Sequence, residues 1–219
     1  MTDDRVAVCV FAKPPRPGEV KTRLAAGIGD EAASRLAHAF LLDTLQTLQS
    51  LSWVMPVVAS TDPFFAGDGI ECWLQGEGNL GNRIERILRR GLRQASCAIA
   101  LGADSPGLPS HLLESARQAL AAHDAVLGPC DDGGFYLLGV RRCPPGCLGE
   151  VRWSSQHAAS DAGQSMAQAG MSVTVQERWF DVDTEEDLDR LRQSLAEGTL
   201  HAPHTAAELA RLAMVPNLI

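Results

Sequence analysis

The chain has 219 residues, 45% of them hydrophobic and 21% charged, which excludes the disordered and low-complexity classes and suffices for a sizeable core. Its formal net charge of −8 argues against nucleic acid as a partner, because phosphate affinity is mostly Lys and Arg contact. No apolar run approaches the ~20 residues of a membrane span, and Met1-Thr2-Asp3-Asp4-Arg5 is no signal-peptide start, so a cytoplasmic protein is expected.

Arg5 to Ala12 is apolar, rich in Val and too short for a helix, which predicts a buried strand. Lys13-Pro14-Pro15-Arg16-Pro17-Gly18 must be a loop, since proline fixes φ and lacks the amide donor that helix and ladder need. Helical periodicity runs from Asp30 to Leu51, with Leu36, Phe40, Leu41, Leu45 and Leu48 on one stripe. Val54 to Ser60 and Ile70 to Leu74 predict strands. A polar glycine loop leads from the latter into a helix over Asn82 to Gln94. Cys97 to Leu101 is a further buried strand, ending at Gly102-Ala103-Asp104-Ser105-Pro106, and Ser110 is expected to cap a helix reaching Ala122. Ala125 to Leu127 and Phe135 to Val140 are joined by the turn-rich Pro129-Cys130-Asp131-Asp132-Gly133-Gly134, which predicts an antiparallel pair. Gln156 to Ala169 is helical, Ser172 to Gln176 a strand, and Thr184 opens a helix to Ala196. Thr205 and Glu208 have the spacing of a capping box for a short terminal helix.

Strands alternating with helices predict a three-layer α/β/α sandwich whose sheet is mainly parallel, made mixed by the central hairpin. No linker or internal repeat divides the chain, so one domain over 1–219 is expected, with 199–219 a tail carrying a short peripheral helix. Of the six cysteines, Cys9, Cys72 and Cys97 sit in apolar runs and read as core residues. Cys143 and Cys147 flank Pro-Pro-Gly and have the spacing of a small disulfide or half a metal site, but no second Cys/His pair stands at zinc spacing.

In open α/β sheets, ligands bind beyond the carboxyl ends of the strands, so the polar loops there carry the candidates. Both lysines of the chain fall in the first loop, where Lys13, Arg16, Lys21 and Arg23 surround Gly18. Four cations and an approachable backbone suit a polyphosphate; an exposed basic turn is the other reading. Gln75-Gly76-Glu77-Gly78-Asn79-Leu80-Gly81 contains Gly-x-Gly-x-x-Gly, but after the third strand rather than the first, so it is a weak dinucleotide signal. Asp104 at one strand end and Asp181 and Asp183 before the Thr184 helix offer hard carboxylates suited to Mg²⁺ or Mn²⁺. A turn cap for the first and helix-dipole stabilisation for the other two are the alternatives. Asp131, Asp132, Gly133 and Gly134 form a patch suited to hydroxyls, or a plain hairpin turn.

The run from Phe11 to Leu24, Phe-Ala-Lys-Pro-Pro-Arg-Pro-Gly-Glu-Val-Lys-Thr-Arg-Leu, resembles the opening signature of the DUF2064 family. Further matches are Gly78 to Arg83, Gly102 to Pro106, Gly128 to Tyr136 and Asp181 to Leu188, in order along nearly the whole chain. The resemblance implies the glycosyltransferase-A (GT-A, nucleotide-diphospho-sugar transferase) fold. Some of that family are described as arsenosugar-biosynthesis glycosyltransferases, and the wider superfamily includes sugar nucleotidyltransferases and 2-phospholactate guanylyltransferase. It implies that the first loop, with Ala12, Lys13, Arg16, Gly18, Lys21 and Arg23, holds the nucleotide's phosphates, Lys21 being also catalytic. Gln75, Gly81 and Arg83 are similar to positions that read the nucleotide, and Asp104 to the acid that carries the divalent metal. Asp183 is similar to the second metal carboxylate of octulosonate cytidylyltransferases. The Asp-x-Asp common at the metal site of glycosyltransferase-A enzymes is here the single acid Asp104.

The activity implied is glycosyl transfer from a nucleotide-diphosphate sugar to a small-molecule acceptor. Asp131, Asp132, Gly133 and Gly134 would bind that acceptor, with Asp132 as the catalytic base. Nucleotidyl transfer with release of pyrophosphate is the alternative, favoured by the basic first loop, and a catalytically silent nucleotide-binding protein is a third.

Overall fold

The alternation of side chains along extended backbone sorts this chain's core into two sets. Strand β1 (Val6–Ala12) points Val6, Val8 and Val10 to one face and Ala7 and Cys9 to the other. The computed structural model describes residues 5–64 and 69–214, so Met1 to Asp4 and the last residues of the tail lie outside the described residues. The remaining strands are β2 (Val54–Ser60), β3 (Glu71–Leu74), β4 (Cys97–Gly102), β5 (Ala125–Pro129), β6 (Phe135–Val140) and β7 (Val173–Val175). They form one sheet in the order β3-β2-β1-β4-β6-β5-β7. Every pairing is parallel except those of β6, which runs against both β4 and β5. The expected mixed, mainly parallel sheet is therefore present.

Helices cover both faces. Leu41, Leu45 and Leu48 of α2 (Asp30–Gln49) pack with Leu112, Leu113 and Ala116 of α4 (Ser110–Ala122) over Val8, Val58 and Ile99. On the other face, Ile84, Ile87 and Leu88 of α3 (Leu80–Gly91) join Ala158, Ala162 and Met166 of α5 (Ala158–Gln168) over Cys9, Val57 and Leu127. A third cluster sits at the end of α2, where Leu36 and Phe40 meet Leu24 of the short α1 (Thr22–Ile28) and Leu188 and Leu191 of α6 (Glu185–Ala196). This cluster anchors the two segments that bring Lys21 and Asp183 to the site.

Three expectations are corrected. The sequence pattern did not anticipate α1, whose seven residues bury only Leu24 and Ala25, too few positions to show a period. Ser110 is the first residue of α4 rather than its cap; Pro109 holds the cap position, with no side-chain hydrogen bond. Thr205 and Glu208 lie inside the last helix, α7 (Pro203–Met214), and make no capping box. Instead Asp43 of α2 supplies the cap from across the interface. Its carboxylate accepts from the His204 and Thr205 amides, both at 2.9 Å, and from the Thr205 hydroxyl at 2.6 Å. Glu208 is buried too, and accepts from Arg35 Nε at 2.6 Å.

Candidate active site

Because β1, β2, β3 and β4 are parallel, their carboxyl ends reach one edge of the sheet, and a cleft of about 340 Å³ opens there. Its walls include Ala12 at the end of β1 and Lys13 after it, Thr61 after β2, Gln75 after β3, and Ala103 and Asp104 after β4.

Lys21 stands at the centre. It is the cap residue of α1 with φ 49° and ψ 42°, a left-handed backbone that costs a residue with a Cβ roughly 1–2 kcal/mol. Its ammonium lies 2.7 Å from Asp104 Oδ1 and 2.6 Å from Asp183 Oδ1, and the side chain is 5% exposed. Burial alone would depress the lysine, but Asp104 and Asp183 outweigh it and raise its pKa above the ordinary value. For Asp183, burial pushes the carboxyl up, while Lys21 and Arg23 hold it below the usual range. Strain retained at a residue that bridges two carboxylates points to function.

The placement of Asp183 follows from its flanks. The Trp179 amide donates to the Pro129 carbonyl at 3.1 Å and the Val182 amide to the Asp104 carbonyl at 2.9 Å, so the segment after β7 runs beside the ends of β5 and β4. Thr184 then caps α6, and the Asp187 carboxylate accepts from the Asp183 and Thr184 amides at 3.0 and 2.8 Å.

The four cations of the first loop separate. Lys13 and Lys21 line the cleft, joined by Arg83 of α3. Arg16 is turned outward, 3.5 Å from Glu19 and 3.8 Å from Asp62. Arg23 lines an adjoining hollow of about 220 Å³ that shares Asp183 with the cleft. The loop backbone is left-handed at Gly18, with φ 77°, and at Lys21. Gly18 itself is exposed.

Gln75 is 5% exposed and lines the cleft, with Nε2 donating to the Ala59 carbonyl at 2.9 Å. Asn79 and Asn82 form a capping box at the start of α3, and Arg86 reaches back to the Gln75 and Glu77 carbonyls, so the glycine loop is held to its own helix. Gly81 is buried against the Leu148–Trp153 segment, where a Cβ would come within 2.8 Å of the Leu148 carbonyl oxygen. That close approach accounts for the glycine.

The patch over Asp131 to Gly134 is the β5–β6 hairpin turn. Asp131 pairs with Arg190 at 2.9 Å, and Asp132 Oδ1 accepts from the Gly134 amide at 2.8 Å. Gly133 has φ 88° and faces the Gln156 backbone at a distance that admits no side chain. Tyr136 belongs to the core rather than the patch: it is 2% exposed, donates to the Glu177 carbonyl, and accepts from Gln176.

Asp181, the other candidate carboxylate of this segment, lines the adjoining hollow, and its carboxyl is pushed up to about 6 by burial, by Asp132 and by Asp183. One residue beyond the expected set belongs here: His38 of α2 lines the cleft, and no local motif marks it. Cys143 and Cys147 are free thiols, with sulfurs 3.7 Å apart.

Asp104 and Asp183 direct one oxygen each at a single point, and a pair of carboxylates converging in this way suits a hard divalent cation that takes its other ligands from phosphate and water. That point is where the Lys21 ammonium stands, so ammonium and metal are alternatives there.

The profile of DUF2064, described as an uncharacterized protein conserved in bacteria, matches residues 41–155. A protein from Desulfovibrio desulfuricans G20, provisionally assigned as a nucleotide-diphospho-sugar transferase, has a similar crystal structure. Its TM-score is 0.84 at 28% identity, over 96% of this chain and 95% of that one. CMP:2-keto-3-deoxy-manno-octonic acid synthetase complexed with CTP gives a TM-score of 0.57 at 13% identity, over 89% of this chain and 99% of the other. A 4-diphosphocytidyl-2C-methyl-D-erythritol synthase from Anaerococcus prevotii gives 0.53 at 12%, over 89% and 100%. At 12–13% identity these last two likenesses are of fold. No curated protein matches the chain significantly.

Proposed function

The chain belongs to the DUF2064 family, and from that premise and the cleft at its strand ends we propose that it is a nucleotide-dependent transferase. The observation that carries the reading is the buried Lys21 ammonium between Asp104 and Asp183, with Lys13 and Arg83 on the walls of the same cleft. Lys13, Lys21 and Arg83 would hold the phosphates of a nucleotide, each charge-assisted hydrogen bond contributing about 1.5–3 kcal/mol. Asp104 and Asp183 would hold Mg²⁺ or Mn²⁺, which when bound supplies neutralisation of the leaving diphosphate. With the carboxylates so engaged, the Lys21 ammonium would be available to phosphate oxygens. Free cysteines at all six positions support a reducing, cytoplasmic setting.

Within that class we propose glycosyl transfer from a nucleotide-diphosphate sugar to a small-molecule acceptor. The solved structure of a provisionally assigned nucleotide-diphospho-sugar transferase, alike over nearly the whole chain, supports this reading. The acceptor would lie over Gly133 and Gly134, with Asp132 as the base that takes its hydroxyl proton. Nucleotidyl transfer is the second reading, supported by Lys21, whose charge suits an attacked α-phosphate. The test is incubation with Mg²⁺ and panels of nucleoside triphosphates and nucleotide-diphosphate sugars. Release of nucleoside diphosphate selects glycosyl transfer, and pyrophosphate released with a phosphorylated acceptor selects nucleotidyl transfer. Binding without release of either would overturn both.

A further inference from the structure

Beyond the end of β5, Cys130 pairs in parallel register with Trp179. Two residues on from each partner stand Asp132, in the hairpin turn, and Asp181. The Cys130 sulfur and one carboxylate oxygen from each of Asp132 and Asp181 lie within 4.8 Å of one another. A metal with bonds of about 2.0–2.3 Å holds tetrahedral donors roughly 3.3–3.8 Å apart, so the three would draw together by up to about 1.5 Å on binding one. Cys130 is 1% exposed, and its thiol is aimed into this cluster with no hydrogen-bond partner among the described residues. Asp132 and Asp181 have no ion-pair partner there either, in contrast to Asp131, which is neutralised by Arg190, and Asp183, neutralised by Lys21. Asp132 and Asp181 also line the hollow of about 220 Å³, which leaves room for water or a further ligand.

We propose that Cys130, Asp132 and Asp181 form a second cation site, for a borderline divalent transition metal such as Zn²⁺. A sulfur donor disfavours Mg²⁺ and favours Zn²⁺ or Co²⁺, so this site differs in selectivity from the all-oxygen pair of Asp104 and Asp183. On binding, the S–H bond of Cys130 is replaced by a sulfur–metal bond and the proton leaves to solvent, with no change of oxidation state. The metal would join the β5–β6 turn to the segment leading into α6. It would also occupy a carboxylate that the transferase reading assigns to the acceptor, so on that reading Zn²⁺ opposes turnover.

The test is a Co²⁺ titration of the whole chain carrying Cys143→Ser and Cys147→Ser, which removes the other thiol pair. A thiolate-to-cobalt charge-transfer band in the near ultraviolet is expected, saturating at one equivalent and persisting in excess Mg²⁺. It should vanish in Cys130→Ala, and Asp181→Asn should weaken Co²⁺ binding by roughly tenfold or more. Circular dichroism checks that each variant is folded; if Cys130→Ala is not, the Asp181→Asn titration decides alone. Absence of the band, its survival in folded Cys130→Ala, or unchanged affinity in Asp181→Asn would each overturn the site. The readout is binding, so failure of the transferase reading leaves this result intact.

Discussion

Lys21 and Asp183 stand 162 positions apart in the chain, yet their ammonium and carboxylate meet at 2.6 Å. The contact joins the first loop to the segment between β7 and α6, and it places a positive charge where a divalent cation would sit. One ammonium offsets only one of the two carboxylates, Asp104 and Asp183, so on the transferase reading metal and nucleotide would each alter the charge that the other meets.

Lys21→Met retains the apolar stem and removes the charge. Nucleotide affinity should fall roughly ten- to a hundredfold, the equivalent of one charge-assisted hydrogen bond to phosphate. Mn²⁺ affinity measured without nucleotide should rise, because Asp104 and Asp183 then face each other with no cation between them. Calorimetric titrations of both ligands check this; a fall in Mn²⁺ affinity would show that the ammonium and the metal do not share the position.

Gly133 adopts φ 88°, and a Cβ there would collide with the Gln156 backbone. Gly133→Ala combines left-handed strain with overpacking against a group that cannot rotate away, for a cost of roughly 2–4 kcal/mol. Urea unfolding should show a lower midpoint with the slope preserved.

Asp161 in the first turn of α5 accepts from the Arg152 amide at 3.1 Å and from both arms of its guanidinium at 2.8 and 2.9 Å. These bonds lower its carboxyl from 3.8 to about 2. The folded state then binds the proton less readily than the unfolded one. The stabilisation is therefore complete above the unfolded value and is lost as pH falls through about 2. Asp161→Asn should lower the unfolding midpoint at neutral pH, and the gap from the wild type should close on acidification. A gap independent of pH would show that the ionised form is not what the bonds favour.

Asp43→Ala leaves the His204 and Thr205 amides and the Thr205 hydroxyl without their acceptor. A loss of about 2–3 kcal/mol is expected from a missing cap and unsatisfied buried donors. Because Asp43 reaches across from α2, the effect should appear first as proteolytic cleavage before α7 rather than within α2.

What the sequence disclosed depended on how local its cause was. Val6 to Ala12, Val54 to Ser60 and Phe135 to Val140 were legible because a short apolar run between turn signals has few other fates. Thr184 was legible as a cap because its partner Asp187 is three residues away. Thr205 was misread because its real partner, Asp43, is on another helix, and spacing carries no information about that. At the site, the strand-end position of Asp104 was readable. Its contact with Lys21 was not, since it depends on a left-handed backbone at a lysine. Cys130 had a signal that went unused: a cysteine directly before two acids at a strand end.

The reversal of β6 has a consequence for how this protein can diversify. On the cleft edge, the other strands contribute their outlets, and those of β1, β3 and β4 continue into helices that cross back over the sheet. β6 contributes its inlet, so the turn from Cys130 to Gly134 joins immediate neighbours and supports no crossover. A change of length there moves no crossover helix, but it must keep the approach of Gly133 to the Gln156 backbone and the Asp131–Arg190 pair, whereas an insertion after β1 or β4 would displace Lys21 or Asp104. The turn is thus tied to the rest of the fold by contacts, and the opposite side of the cleft by the course of the chain itself.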